Sequence, residues 1–304
     1  MMSDSVVIRV PASTSNCGPG FDTLGIALSL YGTLEVTRTI DDQITYFGDT
    51  PEFPEEAVTM VQKVAQTFFK QTGIEPTGFG FDIKSEAPIA RGLGSSVILR
   101  GGFLAGINHL CGSPLSKYEQ VELISLIEGH PDNASATILG GFTVARFCPD
   151  SNRYLGTQKF DVSEEVAFVV VSPELEIKTD ESRGSLPTQI EFSKVVSSLN
   201  ALAYLVGAFA SANYESLKAC QVDYIHQPYR LPHIPKSKEA IQSGIDAGAY
   251  TGWLSGSGSS VLCVTRKSDS ANVLAAMEAE FRQIPIEIRS YVLTADNEGI
   301  TVIS

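Results

Sequence analysis

P-I-A-R-G-L-G-S-S, residues Pro88 to Ser96, decides how this chain is read. The alternating run Phe79-Gly80-Phe81-Asp82-Ile83-Lys84 before it predicts a strand, and the apolar, small-residue segment Val97 to Leu110 after it predicts a buried helix. A strand, a glycine-serine turn and a helix start together form an anion site. Glycines let the backbone approach closely, and unpaired N–H groups at the helix start point outward at the positive end of its dipole. Phosphate is the expected guest. The loop matches neither common phosphate signature: no lysine follows Gly94, as a Walker A loop requires, and Val97 stands where the dinucleotide fingerprint needs its third glycine.

The 304 residues are enough for two domains of ordinary size, and 43% apolar with 19% charged residues is a globular balance. A formal net charge of −13 argues against nucleic acid or an anionic membrane as the main partner, while leaving room for a local basic pocket for a small anion. The five cysteines, Cys17, Cys111, Cys148, Cys220 and Cys263, are scattered with no C-x-x-C pair, so reduced thiols in a cytoplasmic protein are expected. The N-terminal residues lack a signal-peptide layout, and the apolar run Val166 to Val171 is too short to span a membrane.

Strands are predicted at Val6–Val10, Ile26–Thr37, Gln43–Phe47 and Gly141–Phe147, with a loop from Pro11 to Gly25. Helices fit Glu55–Thr72 and, from the capping box of Ser116 and Glu119, a segment ending near Glu128. A boundary is expected near Asp161–Glu165, dividing the chain into 1–163 and 164–304. The second half predicts strands at Val166–Ser172, Tyr250–Leu254, Val261–Thr265 and Ile286–Leu293. Helices are expected at Ile190–Ala210, Glu215–Val222, Lys236–Ala247 and Ala271–Arg282. Both halves thus read as two-layer α+β sandwiches.

Three further segments are polar and glycine-rich between apolar elements: P-A-S-T-S-N-C-G-P-G-F-D-T-L-G (Pro11 to Gly25), E-G-H-P-D-N (Glu128 to Asn133) and L-S-G-S-G-S-S (Leu254 to Ser260). Taken in order with the Pro88–Ser96 loop and H-Q-P-Y-R at His226 to Arg230, the chain resembles the GHMP small-molecule kinases, and among these the homoserine kinases. The resemblance runs from about Arg9 to Val264. It implies an N-terminal domain like the second domain of ribosomal protein S5, with a left-handed βαβ crossover, and a ferredoxin-like C-terminal domain, the active site lying between them.

The resemblance also implies an ATP- and Mg²⁺-dependent phosphorylation of the homoserine side-chain hydroxyl, and a homodimer. Pro88, Ala90, Arg91, Gly92, Leu93, Gly94, Ser95 and Ser96 would then hold the nucleotide phosphates. Glu122 matches the family's magnesium carboxylate, with Ser96 as its hydroxyl partner; taken bare, Glu122 reads as a solvated helix face. Asn16, Asp22, His130, Thr179, Arg183 and Arg230 match substrate contacts, the arginines for a carboxylate and Asp22 for an ammonium group. Asn133 stands where several relatives carry a catalytic aspartate. Since asparagine takes no proton, direct attack by an oriented alcohol is expected, helped by proximity and charge stabilisation.

The chain departs from the family at Val97-Ile98-Leu99-Arg100, where alanines are usual, and at Ser259-Ser260 in place of Pro-Thr. Arg100 in an apolar helix has three candidate roles: pairing with phosphate, pairing with a buried carboxylate, or facing a cleft. Three readings stay open: a homoserine phosphotransferase, a GHMP kinase for another small alcohol (if the two arginines do not converge), and a non-catalytic ligand-binding paralogue (if Val97 or Ile98 fills the phosphate loop).

Overall fold

Strand β1 (Ser5–Ser15) pairs antiparallel with the long β2 (Leu24–Arg38) along its whole length, with a register shift between Pro11 and Ala12. The sequence predicts a loop from Pro11 onward, but Ala12 to Ser15 stay in the sheet. Proline sits at the bulge, where its missing N–H is tolerated. The hydroxyls of Ser13, Thr14 and Ser15 are buried and hydrogen-bonded, so these polar residues occupy a strand at no desolvation penalty. The structure, a computed structural model, describes residues 4–50, 53–177 and 179–303, the side chains of Thr179 and Asp180 excepted.

β3 (Ile44–Tyr46) and β4 (Phe79–Ser85) are parallel neighbours joined through α1 (Glu55–Thr72), a βαβ unit. Helix α1 forms where the periodicity places it, burying Val61, Val64, Ala65, Phe68 and Phe69 on one stripe, with Glu55 and Glu56 at its positive end. Full burial of each large side chain contributes about 1.5–3 kcal/mol. Next come α2 (Ser95–Leu110) and α3 (Lys117–Glu128), the latter opened by the Ser116–Glu119 capping box. A short α4 (Asp132–Leu139) starts inside E-G-H-P-D-N, and the hairpin β5 (Phe142–Cys148) and β6 (Arg153–Phe160) closes the first sheet, β5 pairing with the start of β2.

β7 (Val166–Pro173) opens the second sheet, after the expected boundary. It is followed by α5 (Thr179–Gly184), a turn of helix between the strand expected at Val166–Ser172 and the helix expected at Ile190–Ala210, then α6 (Phe192–Ala210), α7 (Gln227–Arg230) and α8 (Ser237–Asp246). The helix predicted at Glu215–Val222 is a 3₁₀ segment, Tyr214–Ala219. The remaining elements are β8 (Thr251–Leu254), β9 (Val261–Arg266), α9 (Ser270–Phe281), β10 (Ile288–Leu293) and β11 (Thr301–Val302). The second sheet runs β10-β7-β9-β8, all antiparallel, which is the ferredoxin-like order with extra helices between β7 and β8. β11 returns to pair with β1, so the last residues belong to the first sheet.

β7 explains why the two halves form one site. Its Phe168 and Val170 face the core shared with the first sheet, whereas Val169 and Val171 face a second cluster with Val273, Met277 and Phe281 of α9. Phe209 of α6 stacks on Phe142 of β5 at 4.4 Å between ring centroids, across the same junction. Among the described residues α6 alone is long and apolar enough to cross a membrane by length and composition, a property the Val166–Val171 run did not signal. It lays Ser198, Ala201, Leu205, Ala208 and Phe209 on the core.

Candidate active site

The loop between β4 and α2 has left-handed backbone at alternate residues, Ala90 (φ 55°), Gly92 (φ 75°) and Gly94 (φ 72°). This alternation turns successive N–H groups into one concavity, continued by the free amides at the start of α2. Only glycine fits at two of these positions. A Cβ on Gly92 would lie 2.0 Å from the Ser255 carbonyl oxygen, and one on Gly94 would lie 2.3 Å from Ser13 Oγ. The loop is laced to both neighbouring segments: the Ser255 hydroxyl donates to the Gly92 carbonyl (2.6 Å), the Ser13 N–H to Leu93 (3.2 Å) and the Ser260 N–H to Arg91 (3.1 Å). Within it, the Ala90 N–H donates to the Ser95 hydroxyl (3.3 Å), and Arg91 pairs with Glu174 (3.4 Å). Pro88 stays half-buried and Leu93 plugs the core. Val97 and Ile98 belong to the same core.

Asn133, at the start of α4, is held from both ends of its amide. Ser13 donates to its Oδ1 (2.9 Å) and its Nδ2 donates to Ser15 (3.0 Å), while Thr137 donates to Ser13 (3.0 Å). Asp132 accepts from the Asn133 N–H (2.9 Å) and faces His130 Nδ1 at 2.7 Å. Burial works against a charged His130, but the carboxylates of Asp132, Glu128 and Asp22 outweigh it and push its pKa up to about 9. Burial likewise opposes the Asp132 charge, and His130, the Asn133 N–H and the Ser15 hydroxyl together hold its pKa below the usual value. Asp22, His130 and Asp132 bring ligand atoms within 4.8 Å of one another. At neutral pH the protonated His130 is the cation of that group, which leaves it a poor metal site.

Among the described residues Ser96 donates to Glu128 and not to Glu122. Glu122 is half-buried on α3, where it acts electrostatically on Tyr154. The carboxylate that meets Ser96 is Glu128, whose Oε1 accepts from the Ser96 hydroxyl at 2.9 Å and from Arg100 NH1 at 2.5 Å. The reason is helical geometry: six residues further along α3, the side chain points about 120° away and lies about 9 Å along the axis. Glu128 Oε2 is buried with no partner. A hydroxyl beside a carboxylate with one idle oxygen is a donor set that suits a small hard cation such as Mg²⁺.

The residues expected to contact substrate gather at the turn after β1. Asn16, itself left-handed (φ 67°), accepts from the Asp22 N–H (3.0 Å) and donates to the Gly256 carbonyl (3.0 Å). Arg183 of α5 grips Asp22 with two hydrogen bonds, of 2.9 and 2.6 Å. Arg230 of α7 is buried and donates to the carbonyls of Gly256 (3.2 Å) and Ser182 (3.4 Å). Both guanidinium groups lie over the Phe21 ring, 5.2 and 5.1 Å from its centroid. Burial and the neighbouring Arg183 lower the Arg230 pKa to about 10. Thr179 begins α5, but its side chain lies outside the described residues.

The sequence reading missed four contributors. Glu128 was in view as the first letter of E-G-H-P-D-N. Ser13 and Ser15 stood in the first glycine-rich segment, and His226 headed H-Q-P-Y-R. His226 is fully buried, meets the Gly18 carbonyl at 2.8 Å and packs on Phe21 at 5.5 Å between ring centroids, so it ties α7 to the first turn. A cleft of about 660 Å³ opens beside Asp22 and His130 toward the β5–β6 hairpin, and one of about 320 Å³ adjoins Arg230, Ser182 and Ser257.

Residues 59–141 match the family model for the GHMP kinases N terminal domain, and residues 202–283 match that for the GHMP kinases C terminal domain. The homoserine kinase of Carboxydothermus hydrogenoformans is 37% identical over 296 residues, covering 97% of this chain and 95% of its own length. That of Caldanaerobacter subterraneus subsp. tengcongensis is 33% identical over 306 residues, covering 100% of this chain and 97% of its own. Among solved structures, homoserine kinase from Cytophaga hutchinsonii superimposes with a TM-score of 0.89 at 26% identity, covering 100% of this chain and 98% of that one. A mevalonate kinase, at 19% identity and a TM-score of 0.64 over 96% of this chain and all of that one, shares the fold. With full-length relatives above 30% identity and the four glycine-rich segments joined in one site, the chain belongs to the GHMP kinases, within the homoserine kinase family.

Proposed function

We propose that this protein transfers the γ-phosphoryl group of ATP to the side-chain hydroxyl of L-homoserine, giving O-phospho-L-homoserine. The observation that carries this reading is the convergence of Arg183 and Arg230 over Phe21, with Asp22 held by Arg183. An α-amino acid presents a carboxylate and an ammonium group together, the two charges that this cluster complements. A hydroxy acid without an amine would leave Asp22 with Arg183 alone. The names of the relatives point the same way.

In this reading the amides from Gly92 to Ser96 cradle the nucleotide phosphates, and the dipole of α2 favours their charge. Ser96 and Glu128 would hold Mg²⁺. Bound there, it supplies charge neutralisation on the transferring phosphoryl group. Asn16 and Asn133 orient the acceptor, each fixed by hydrogen bonds at both ends of its amide. No side chain is assigned as base: Asn133 carries no proton-accepting charge, and Asp132 is spent on His130, the Asn133 N–H and Ser15. The proton then leaves with the phosphoryl oxygen or to water, and rate comes from positioning and charge stabilisation.

ADP release measured with homoserine, mevalonate and shikimate tests the assignment: turnover with homoserine alone is expected, and an equal rate with mevalonate overturns it. We also place the enzyme in the cytoplasm, in keeping with five free cysteines. We assign it as a homodimer, for which the exposed Phe192, Val196, Leu199 and Tyr204 of α6 offer an apolar face. Light scattering at micromolar concentration checks the mass, and a monomer ends that assignment.

A further inference from the structure

We infer that Arg100 is a built-in counter-cation at the metal carboxylate, weakening the grip of Glu128 on free divalent cations. The inference rests on the assignment of Glu128 and Ser96 to the cation.

Arg100 lies on α2, four residues after Ser96 and so on the same face of the helix. Its guanidinium NH1 and the Ser96 hydroxyl converge on one oxygen, Glu128 Oε1. The Glu128 side chain is only 3% exposed and that of Arg100 18%. Two atoms of the pair, Arg100 Nε and Glu128 Oε2, are buried without any partner. A pair built only for stability would satisfy those atoms, because a buried idle donor and acceptor each cost free energy. The geometry instead leaves one carboxylate oxygen ready for a ligand while a fixed positive charge neutralises the other.

A fixed charge next to a carboxylate has a definite sign of effect. It repels a second cation arriving within a few ångströms. Divalent cation alone should therefore bind weakly, and the ion should enter together with the nucleotide, whose phosphates add the missing negative charge. In the family pattern alanine is usual at this position, so the device comes from this chain's own residue.

The test is Mn²⁺ binding followed by electron paramagnetic resonance, on the intact protein with and without a non-hydrolysable ATP analogue, alongside melting temperature with and without Mg²⁺. Arg100→Gln keeps a hydrogen-bond donor and removes the charge. It should tighten binding of Mn²⁺ alone by about tenfold or more, from the Coulomb term at an effective dielectric constant near 20 or above, and should turn Mg²⁺ into a thermal stabiliser. Arg100→Lys, which keeps the charge and serves if the glutamine variant fails to fold, should bind Mn²⁺ as weakly as the parent. Unchanged or weaker Mn²⁺ binding in Arg100→Gln, or tighter binding in Arg100→Lys, overturns the inference. Glu128→Gln separates the two levels. If it abolishes Mn²⁺ binding to the nucleotide complex while Arg100→Gln changes nothing, only the role of Arg100 falls. If Glu128→Gln leaves that binding intact, the metal assignment falls first.

Discussion

Arg183 and Asp22 close on each other through a two-pronged ion pair, 2.9 and 2.6 Å, across the junction of the two sheets. Each is the partner that an amino acid's opposite charges would seek, so substrate must insert into, or beside, a pair already satisfied. Losing one fork to a desolvated carboxylate costs about 2–5 kcal/mol, or roughly thirty- to several-thousandfold in kcat/KM. Arg183→Ala and Arg230→Ala should show that loss for homoserine while the KM for ATP moves far less. Steady-state kinetics varying each substrate decides it, and equal losses for both substrates contradict the assignment.

Glu128 and Glu122 sit on the same helix and predict opposite results. Glu128→Gln keeps shape but removes the charge beside Ser96, so turnover should fall and the Mg²⁺ concentration needed for half-maximal rate should rise. Glu122→Gln should leave the Mg²⁺ titration unchanged. A reversed pattern would return the metal role to Glu122.

That pair also marks where the sequence stops being legible. Periodicity and caps place α1, α3 and the alternating strands to within a residue or two, because burial of one face and a local hydrogen bond decide them. The run Ala12–Ser15 reads as loop because its residues are polar, yet it is a strand whose hydroxyls find partners, Ser13 on Asn133 and Thr14 on Trp253, that are far away in sequence. The grouping of Arg183, Arg230 and Asp22 came from the family pattern and not from spacing, since the three lie on separate elements. The choice between two glutamates on α3 depends on which way the helix end faces. Only the tertiary arrangement sets that.

The His130–Asp132 pair gives a pH dependence whose sign can be worked out. His130 has its pKa raised from 6.5 to about 9, so its contribution to stability is complete below about 6.5 and disappears as pH climbs through 9. Asp132 has its pKa lowered, so its contribution holds above the ordinary value of 3.8 and fades as pH falls through the folded-state value. His130→Gln should therefore lower the melting temperature between about pH 5 and 7 and make little difference near pH 10. Thermal unfolding of parent and variant across that range checks it, and a gap that stays constant to pH 10 contradicts it.

Asn133 and Asp132 are adjacent, and only one of them has the charge to act as a base. If attack by the acceptor hydroxyl is direct, Asp132 works by holding His130 and the start of α4. Its removal should then alter stability and substrate binding more than the chemical step. A general base contributes about a hundred- to ten-thousandfold in rate. Asp132→Asn, which keeps the acceptor for the Asn133 N–H, should lower kcat by less than about tenfold, the spread left once a base is excluded. It should also bring the His130 ionisation down toward its ordinary range, visible by proton NMR titration of the imidazole. Asn133→Asp provides the complementary test. A carboxylate there still accepts from Ser13 but loses the donor that Asn133 offers Ser15, and it adds a negative charge beside Asp132 and the phosphate loop. Activity should drop through repulsion of the nucleotide, seen as a raised KM for ATP. A gain in kcat for Asn133→Asp, or a loss of a hundredfold or more for Asp132→Asn with binding and folding intact, would show that a carboxylate takes the proton and that the base-free route is wrong.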